Sequence, residues 1–311
     1  MSPPDTPATV TEVVPFDAAG IARAGTLILD GQPVAVPTET VYGLAADATN
    51  AEAVARIYAA KGRPSFNPLI VHVPDLAAAE RLGRFDAQAR TLAEAHWPGP
   101  LTIVVPARAG NGIAGLVTAG LATIALRVPA HPAMQALLAA CGRPLAAPSA
   151  NASGRISPTR PAHVLASLDG RIALVIDGGA TARGIESTIV AATGGGLRLL
   201  RRGPVEVDAP LSSDGIEAPG MMASHYAPTK PLRLNATEAR DGEYLIGFGE
   251  VAGDVSLSDT GDLVEAAARL FDLLHQADAS PRSRIAVALV PNAGLGAAIN
   301  DRLDRAAAPR T

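Results

Sequence analysis

"PVAVPTETVYGLAADA", residues 33–48, starts as an apolar run of β-forming residues and then breaks into Thr38-Glu39-Thr40. Pro33–Pro37 reads as a buried strand. Polar groups placed directly after such a strand cost free energy to bury unless something bonds them. A plain surface turn explains the break, and so does one wall of a ligand site. Tyr42 and Leu44 are expected to anchor this turn to the core, with Gly43 permitting its bend. The stretch alone does not choose between the two readings, so the chain around it must.

Short apolar runs alternate with helical patterns on its C-terminal side. Residues 69–73, 101–107, 123–129, 172–179, 187–193 and 197–203 read as further strands. Between them, "NAEAVARIYAAKGRP" reads as a helix capped by Asn50, with Val54, Ile57 and Tyr58 on one face and Gly62 and Pro64 ending it. "FDAQARTLAEAHW" predicts another helix before Pro98. Residues 206–230 carry prolines and no apolar periodicity, which suits a linker or active-site loop. A second strand–helix alternation follows, in which Leu263, Ala267, Leu270 and Leu274 share a helical stripe. The expected fold is therefore α/β, with a second, smaller α/β layer after the linker (206–230).

The 311 residues carry a formal net charge of -4, which argues against a protein that mainly coats nucleic acid. A single cysteine, Cys141, excludes an internal disulfide framework and a CxxC zinc ribbon. The first twenty residues have no basic segment and carry Asp5, Glu12 and Asp17, unlike a signal or transit peptide. No apolar run reaches the roughly 18–20 residues that span a bilayer. A soluble, cytoplasmic protein is expected. Neither GxxxxGK[ST] nor a helix-opening GxGxxG occurs, HExxH is absent, and the six histidines are scattered singly, so no dedicated metal site is expected.

Polar groups gather instead at the ends of strands and helices. "KGRPSFNPL" places Lys61, Arg63 and Asn67 on one short loop, where a planar fork, a point charge and an amide can hold phosphate oxygens. His72 and Arg127 are the polar residues of two apolar strands. A buried arginine needs an anionic partner, and Glu39, Asp177 or a ligand carboxylate qualifies. "LAAPSANASGRISPT" offers Ser149, Asn151, Ser153 and Ser157 as a rim of hydroxyls and amides, or else an ordinary polar loop. Glu186, Ser187 and Thr188 repeat the opening theme at a strand start, and Arg201 and Arg202 stand at a strand end. Such convergence suits the crevice of an α/β enzyme.

In this order, "PTETVYGLAADA", "KGRPSFNPL", "LRVP", "PSANASG", "STIV" and "RRGPV" resemble the YrdC-like domain of the threonylcarbamoyl-AMP synthase family. "PGMMASHYAPTKPL" and "GLGAAINDRLDRAA" resemble the linker and C-terminal domain of its longer, Sua-type members. The resemblance implies an N-terminal extension (1–17), a catalytic domain (18–205) built on a twisted mixed α/β sheet, a linker (206–230) and a smaller, Rossmann-like α/β C-terminal domain (231–311). The resemblance implies a nucleotidyltransferase that converts L-threonine, bicarbonate or CO2, and ATP into threonylcarbamoyl-AMP and pyrophosphate. The product would serve adenosine modification in tRNAs reading ANN codons, through downstream transferase proteins. It further implies a threonine pocket of Thr40, His72, Arg127, Ala147 and Ser187. ATP would be held by Lys61, Arg63, Asn67, Thr123, Ser149, Asn151, Ser157 and Arg201. The linker can close over the nucleotide in the family, which nominates His225 and Tyr226. Mg2+ is expected through the ATP phosphates rather than a protein cage. Of two rival readings, a non-catalytic RNA-binding module conflicts with the acidic balance and the lack of aromatic stacking motifs. Carbamoyl transfer in hydrogenase maturation conflicts with the single cysteine.

Overall fold

The computed structural model describes residues 10–212, 217–220 and 224–309, so parts of the expected N-terminal extension and linker, including Met221 and Met222, lie outside the described residues. The chain opens with β1 (Glu12–Pro15), α1 (Ala18–Leu29), β2 (Val34–Pro37), β3 (Tyr42–Asp47) and α2 (Ala51–Lys61). Next come β4 (Ile70–His72), α3 (Leu76–Leu82), α4 (Ala87–His96), β5 (Leu101–Pro106), α5 (Gly115–Thr118) and β6 (Thr123–Arg127). α6 (Pro132–Cys141), β7 (Leu145–Ala146), α7 (Pro161–Leu168), β8 (Leu174–Asp177), β9 (Thr188–Ala192) and β10 (Leu197–Arg201) complete the first unit. Its ten strands form one mixed sheet of order β1-β8-β2-β3-β7-β4-β6-β5-β9-β10.

The second unit runs β11 (Leu232–Ala236), β12 (Glu243–Gly247), β13 (Val255–Ser256), α8 (Leu263–Ala279), β14 (Arg284–Ala288) and α9 (Leu295–Ala307). Its strands are parallel, in the order β11-β14-β12-β13. The fold is thus the α/β class expected, a mixed sheet with a smaller parallel layer.

Local rules explain the elements that were legible. Asn50 Oδ1 accepts from the Glu52 and Ala53 amides, Gly62 closes α2 in the left-handed region at φ 59°, and Val54, Ile57 and Tyr58 are buried. The opening stretch needs a correction. Its polar turn is confined to Thr38–Val41, and Tyr42–Asp47 is a fully buried strand antiparallel to β2, pairing Pro37 with Tyr42 and Val36 with Gly43. Gly43 therefore does not bend the chain. A Cβ there would stand 3.3 Å from Ala147 Cβ, a tight contact, so close approach of the 147–149 loop favours a residue without a side chain.

The two units share a core. Val41, Ile156, Ile185 and Tyr226 belong to the same buried cluster as Leu270, Phe271, Leu274 and Ile299. Burying a leucine or phenylalanine side chain contributes about 1.5–3 kcal/mol, so this seam is a stable junction. At Gly184 (φ 69°) a Cβ would lie 2.3 Å from the carbonyls of Ala267 and Ala268, which brings the 183–187 loop directly onto the backbone of α8. The second unit consequently sits behind the polar ends of β2 and β9.

Candidate active site

Where the turn after β2, the start of β9 and the end of β10 meet, a cleft with about 520 Å³ of empty volume opens. Thr40, His72, Arg127 and Ala147 line one side, and Arg63, Ser149, Ser187, Arg201, His225 and Tyr226 line the rest, with Thr38 and Glu186.

The opening stretch forms the first half. The Thr38 hydroxyl donates to the Val41 carbonyl at 2.7 Å and shares a 2.8 Å bond with the Thr40 hydroxyl. Arg127 reaches across from β6: Nη2 donates to Glu39 Oε1 at 2.6 Å, Nη1 to Thr40 Oγ1 at 3.0 Å, and Nε to the Gly99 carbonyl at 3.2 Å. Glu39, rather than the exposed Asp177, is therefore the anionic partner of Arg127. Burial would raise the Glu39 carboxyl, but the charge and hydrogen bond of Arg127 outweigh it and hold it below its ordinary value. His72 is the register partner of Arg127 across the parallel β4–β6 pair. Its Nδ1 is buried and has no hydrogen-bond partner among the described residues. Burial, and then the charge of Arg127, push His72 down to about 3, so it is neutral near pH 7.

The second half is cationic. Arg63 Nε and Nη2 donate to the carbonyls of Asn67 and Pro68 at 3.3 and 2.9 Å, which curls the 63–68 loop around the guanidinium. Arg201 Nη2 donates to Ser187 Oγ at 3.1 Å and its Nε to the Ser187 carbonyl at 3.1 Å. The β9–β10 ladder slips between Leu199 and Arg201, and such bulges re-aim side chains. Arg201 is buried and lines the cleft, whereas its neighbour Arg202 is exposed. Burial, with the like charge of Arg201 adding to it, lowers Arg63 to about 10. His225 is depressed well below its ordinary value by burial and then by the cations Arg63, Lys61, Arg201 and Arg302. Concentrated positive charge around a cleft favours an anionic ligand.

Several expected residues stand behind the cleft. Lys61 is buried, and its Nζ donates to the Ser149 carbonyl at 2.6 Å and to the Asn151 carbonyl, so it organises the 149–151 loop. Burial and the charge of Arg63 lower it well below the ordinary lysine value. Asn151 Nδ2 donates to the Ala152 and Arg155 carbonyls, and Asn67 is buried in the loop that Arg63 holds. The Ser157 hydroxyl donates to Glu186 Oε1. Thr123 is half-buried at the far end of β6, four residues from Arg127, and does not line the cleft. The resemblance gives Thr38 no role, although it opens the polar break after β2, and residue patterns do not single out Arg302. The latter has no exposed surface and donates from Nε to Glu186 Oε2 at 3.1 Å.

Two neutral histidines, the buried His72 and the half-buried His163, make stability depend on pH. Both fall to about 3, His163 through burial and its stacked neighbour His275. Below pH 6.5 the unfolded chain binds protons at these sites that the folded chain does not, so their stability contribution is intact above that pH and is lost toward pH 3. His72 costs roughly 1.4 kcal/mol per pH unit across that window, and His163, more exposed and 3.4 Å from Asp272, costs less. Urea midpoints should drop between pH 7.5 and 5.0, less steeply when His72 is replaced by glutamine. A midpoint flat over that interval contradicts a neutral His72.

Among the described residues no helix is long and apolar enough to cross a membrane, and no group of three or more His, Cys, Asp or Glu is placed to hold a metal ion. The Sua5/YciO/YrdC family, described as "Telomere recombination", matches residues 26–203. The threonylcarbamoyl-AMP synthase C-terminal domain family matches residues 181–308. The two matches overlap on the segment that carries Glu186, Ser187 and Arg201. The threonylcarbamoyl-AMP synthase of Bacillus subtilis is 39% identical over 97% of this chain and 96% of its own length. That of Pyrococcus abyssi is 38% identical over 93% and 94%. The crystal structure of P. abyssi Sua5 complexed with L-threonine matches with a TM-score of 0.88 at 35% identity, over 96% of this chain and 98% of that one. With both domains matched in order and these relatives similar along nearly their whole length, the chain belongs to the threonylcarbamoyl-AMP synthase family.

Proposed function

We propose that this protein condenses L-threonine, CO2 or bicarbonate, and ATP into threonylcarbamoyl-AMP and pyrophosphate, acting in the cytoplasm as the first step of threonylcarbamoyladenosine formation in tRNAs reading ANN codons. One observation carries the reading: Arg127, Thr40 and His72 line the same cleft as Arg63 and Arg201. The first half suits a small amino acid. Arg127 takes the carboxylate, Ala147 and Ser187 complete the wall, and the Thr40 hydroxyl and the free Nδ1 of His72 read the polar end. The second half suits a triphosphate, with Arg63 and Arg201 as its charged clamp. Lys61, Asn67, Asn151 and Ser157 shape the loops around it, and Ser149, His225 and Tyr226 lie against it. Thr123 is assigned to ATP on family resemblance alone.

The chemistry needs no covalent enzyme intermediate. The threonine nitrogen adds to the carbon of CO2 and loses a proton, giving a carbamate. A carbamate oxygen then attacks the α-phosphorus of ATP, and the bond to the β-phosphate bridging oxygen breaks to release pyrophosphate. Positioning and charge neutralisation are what this step requires of a protein. Mg2+ arrives bound to the ATP phosphates. The product passes to a transferase acting on tRNA. Incubation with ATP, Mg2+, bicarbonate and single amino acids tests the proposal. Pyrophosphate should appear only when threonine and bicarbonate are both present. Release independent of either one, or salt-sensitive RNA binding without any release, overturns it.

A further inference from the structure

An arginine interrupts the apolar stripe of α9. Ala298, Ile299, Leu303 and Ala306 are buried at helical spacing, and Arg302 lies among them with no exposed surface. A guanidinium at such a position is strongly unfavourable unless anions compensate it, and an apolar side chain of similar volume serves a core as well or better. Packing of the second domain therefore does not account for an arginine here. Its contacts do. Nη1 donates to the adjacent Asp301 at 2.9 Å, but Nε donates to Glu186 at 3.1 Å, and Cζ stands 5.5 Å from the centre of the Tyr226 ring. Both Glu186 and Tyr226 line the cleft.

Each of these contacts passes to a part of the cationic half. Glu186 Oε1 accepts from Ser157, and the residue after Glu186 holds Arg201. Tyr226 has φ 62°, a left-handed conformation that is unfavourable for an L residue and persists only where its surroundings fix it. Those surroundings include Phe271 of α8, at 5.5 Å between ring centres, and Arg302. The amide of His225 donates to the Arg305 carbonyl, one turn further along α9. Three buried polar atoms in this group, Arg302 Nη2, His225 Nδ1 and the Tyr226 hydroxyl, have no partner among the described residues. A buried polar atom without a partner is unfavourable, and His225 and Tyr226 line the cleft, so their unpartnered atoms suit a polar ligand there. The bonds among Thr38, Glu39, Thr40 and Arg127 fasten most of the threonine half from β2 and β6, and Ser187 is shared by the two halves.

We propose that Arg302 is a positioning residue for the nucleotide half of the cleft, through which the second domain holds Glu186 and Tyr226 in register with the triphosphate. The inference rests on the proposed reaction for the identity of the ligand. It makes the C-terminal domain a working part of the site rather than a support.

The test compares the full-length protein with Arg302→Met, Arg302→Lys and Glu186→Gln. Steady-state kinetics give KM for ATP and for threonine, and calorimetry gives Kd for L-threonine and for a non-hydrolysable ATP analogue. Arg302→Met should raise KM for ATP and Kd for the analogue at least tenfold, with threonine Kd within twofold of wild type. Arg302→Lys should recover part of the loss, and Glu186→Gln should share it. A folded Arg302→Met with unchanged ATP parameters overturns the inference, as does an equal loss of threonine and analogue binding. Should Arg302→Met fail to fold, Glu186→Gln decides, and an unchanged KM for ATP in that variant is the negative result. If wild type lacks threonine-dependent release, the proposed reaction fails, while the analogue Kd values still decide the role of Arg302.

Discussion

Arg63→Met should slow threonine-dependent pyrophosphate release at least a hundredfold while the protein stays folded. Arg63 lines the cleft from a loop whose Asn67 and Pro68 carbonyls it holds, so it presents a fixed fork to whatever anion enters. Hydrogen bonds to charged groups contribute about 1.5–3 kcal/mol each. Loss of a bidentate contact to a phosphate is thus on the order of 3–6 kcal/mol, and about 1.4 kcal/mol is a tenfold change in rate. Burial and the like charge of Arg201 already lower Arg63 to about 10, so the guanidinium is under-compensated without an anion. Removing it relieves that repulsion, which offsets the lost carbonyl contacts and keeps the fold intact. Lys61→Met differs in kind. Lys61 ties the carbonyls of Ser149 and Asn151 from behind the cleft, so its removal should lower activity together with stability. Kinetics beside denaturant midpoints separate the two cases, and near-normal turnover in Arg63→Met sinks the phosphate-clamp reading.

The sequence disclosed the parts of this molecule that obey local rules. α2 was legible because a cap, a periodic face and a terminating glycine coincide, and β5, β6 and β9 because their apolar runs are bounded by turns. β3 was hidden by the polar turn before it, since Tyr42–Asp47 mixes small residues whose burial only the neighbouring strands reveal. α1 escaped because "AAGIARAGTLIL" is apolar on most sides and holds two glycines, although Asp17 caps it in the usual way. For the site, motif resemblance assembled residues that lie far apart in the chain, and ten of them line the cleft. Arg302 was missed because a cation among the alternating charges of "NDRLDRAA" reads as part of a solvated face. Its signal was position: it falls on the same stripe as Ile299, Leu303 and Ala306, where a charge has no business without a partner.

Arg127→Met should abolish usable threonine binding, raising Kd for L-threonine at least a hundredfold, and should invert the pH dependence of one carboxylate. In the wild type, burial favours protonation of Glu39, but the charge of Arg127 keeps its pKa below the ordinary value. A depressed carboxylate contributes stability that is present above the unfolded pKa and is lost as pH falls through the folded one. Without Arg127, burial of a side chain only 11% exposed is opposed by the backbone amides of Glu39 and Ala130 alone, and the Glu39 pKa should rise. The uncompensated charge should cost about 3–5 kcal/mol near neutral pH. Because the folded pKa then exceeds the unfolded one, this loss should shrink as pH falls toward 4.5, opposite in slope to the wild-type contribution. Urea midpoints at pH 5 and 7 measure the slope directly. The double variant Glu39→Gln, Arg127→Met removes the stranded charge and should regain most of the stability, yet threonine should still fail to bind because its carboxylate has lost its partner. A double variant that binds threonine within threefold of wild type would show that Arg127 only braces the Thr38–Val41 turn. Recovery of the fold without recovery of binding assigns the guanidinium to the substrate as well as to Glu39.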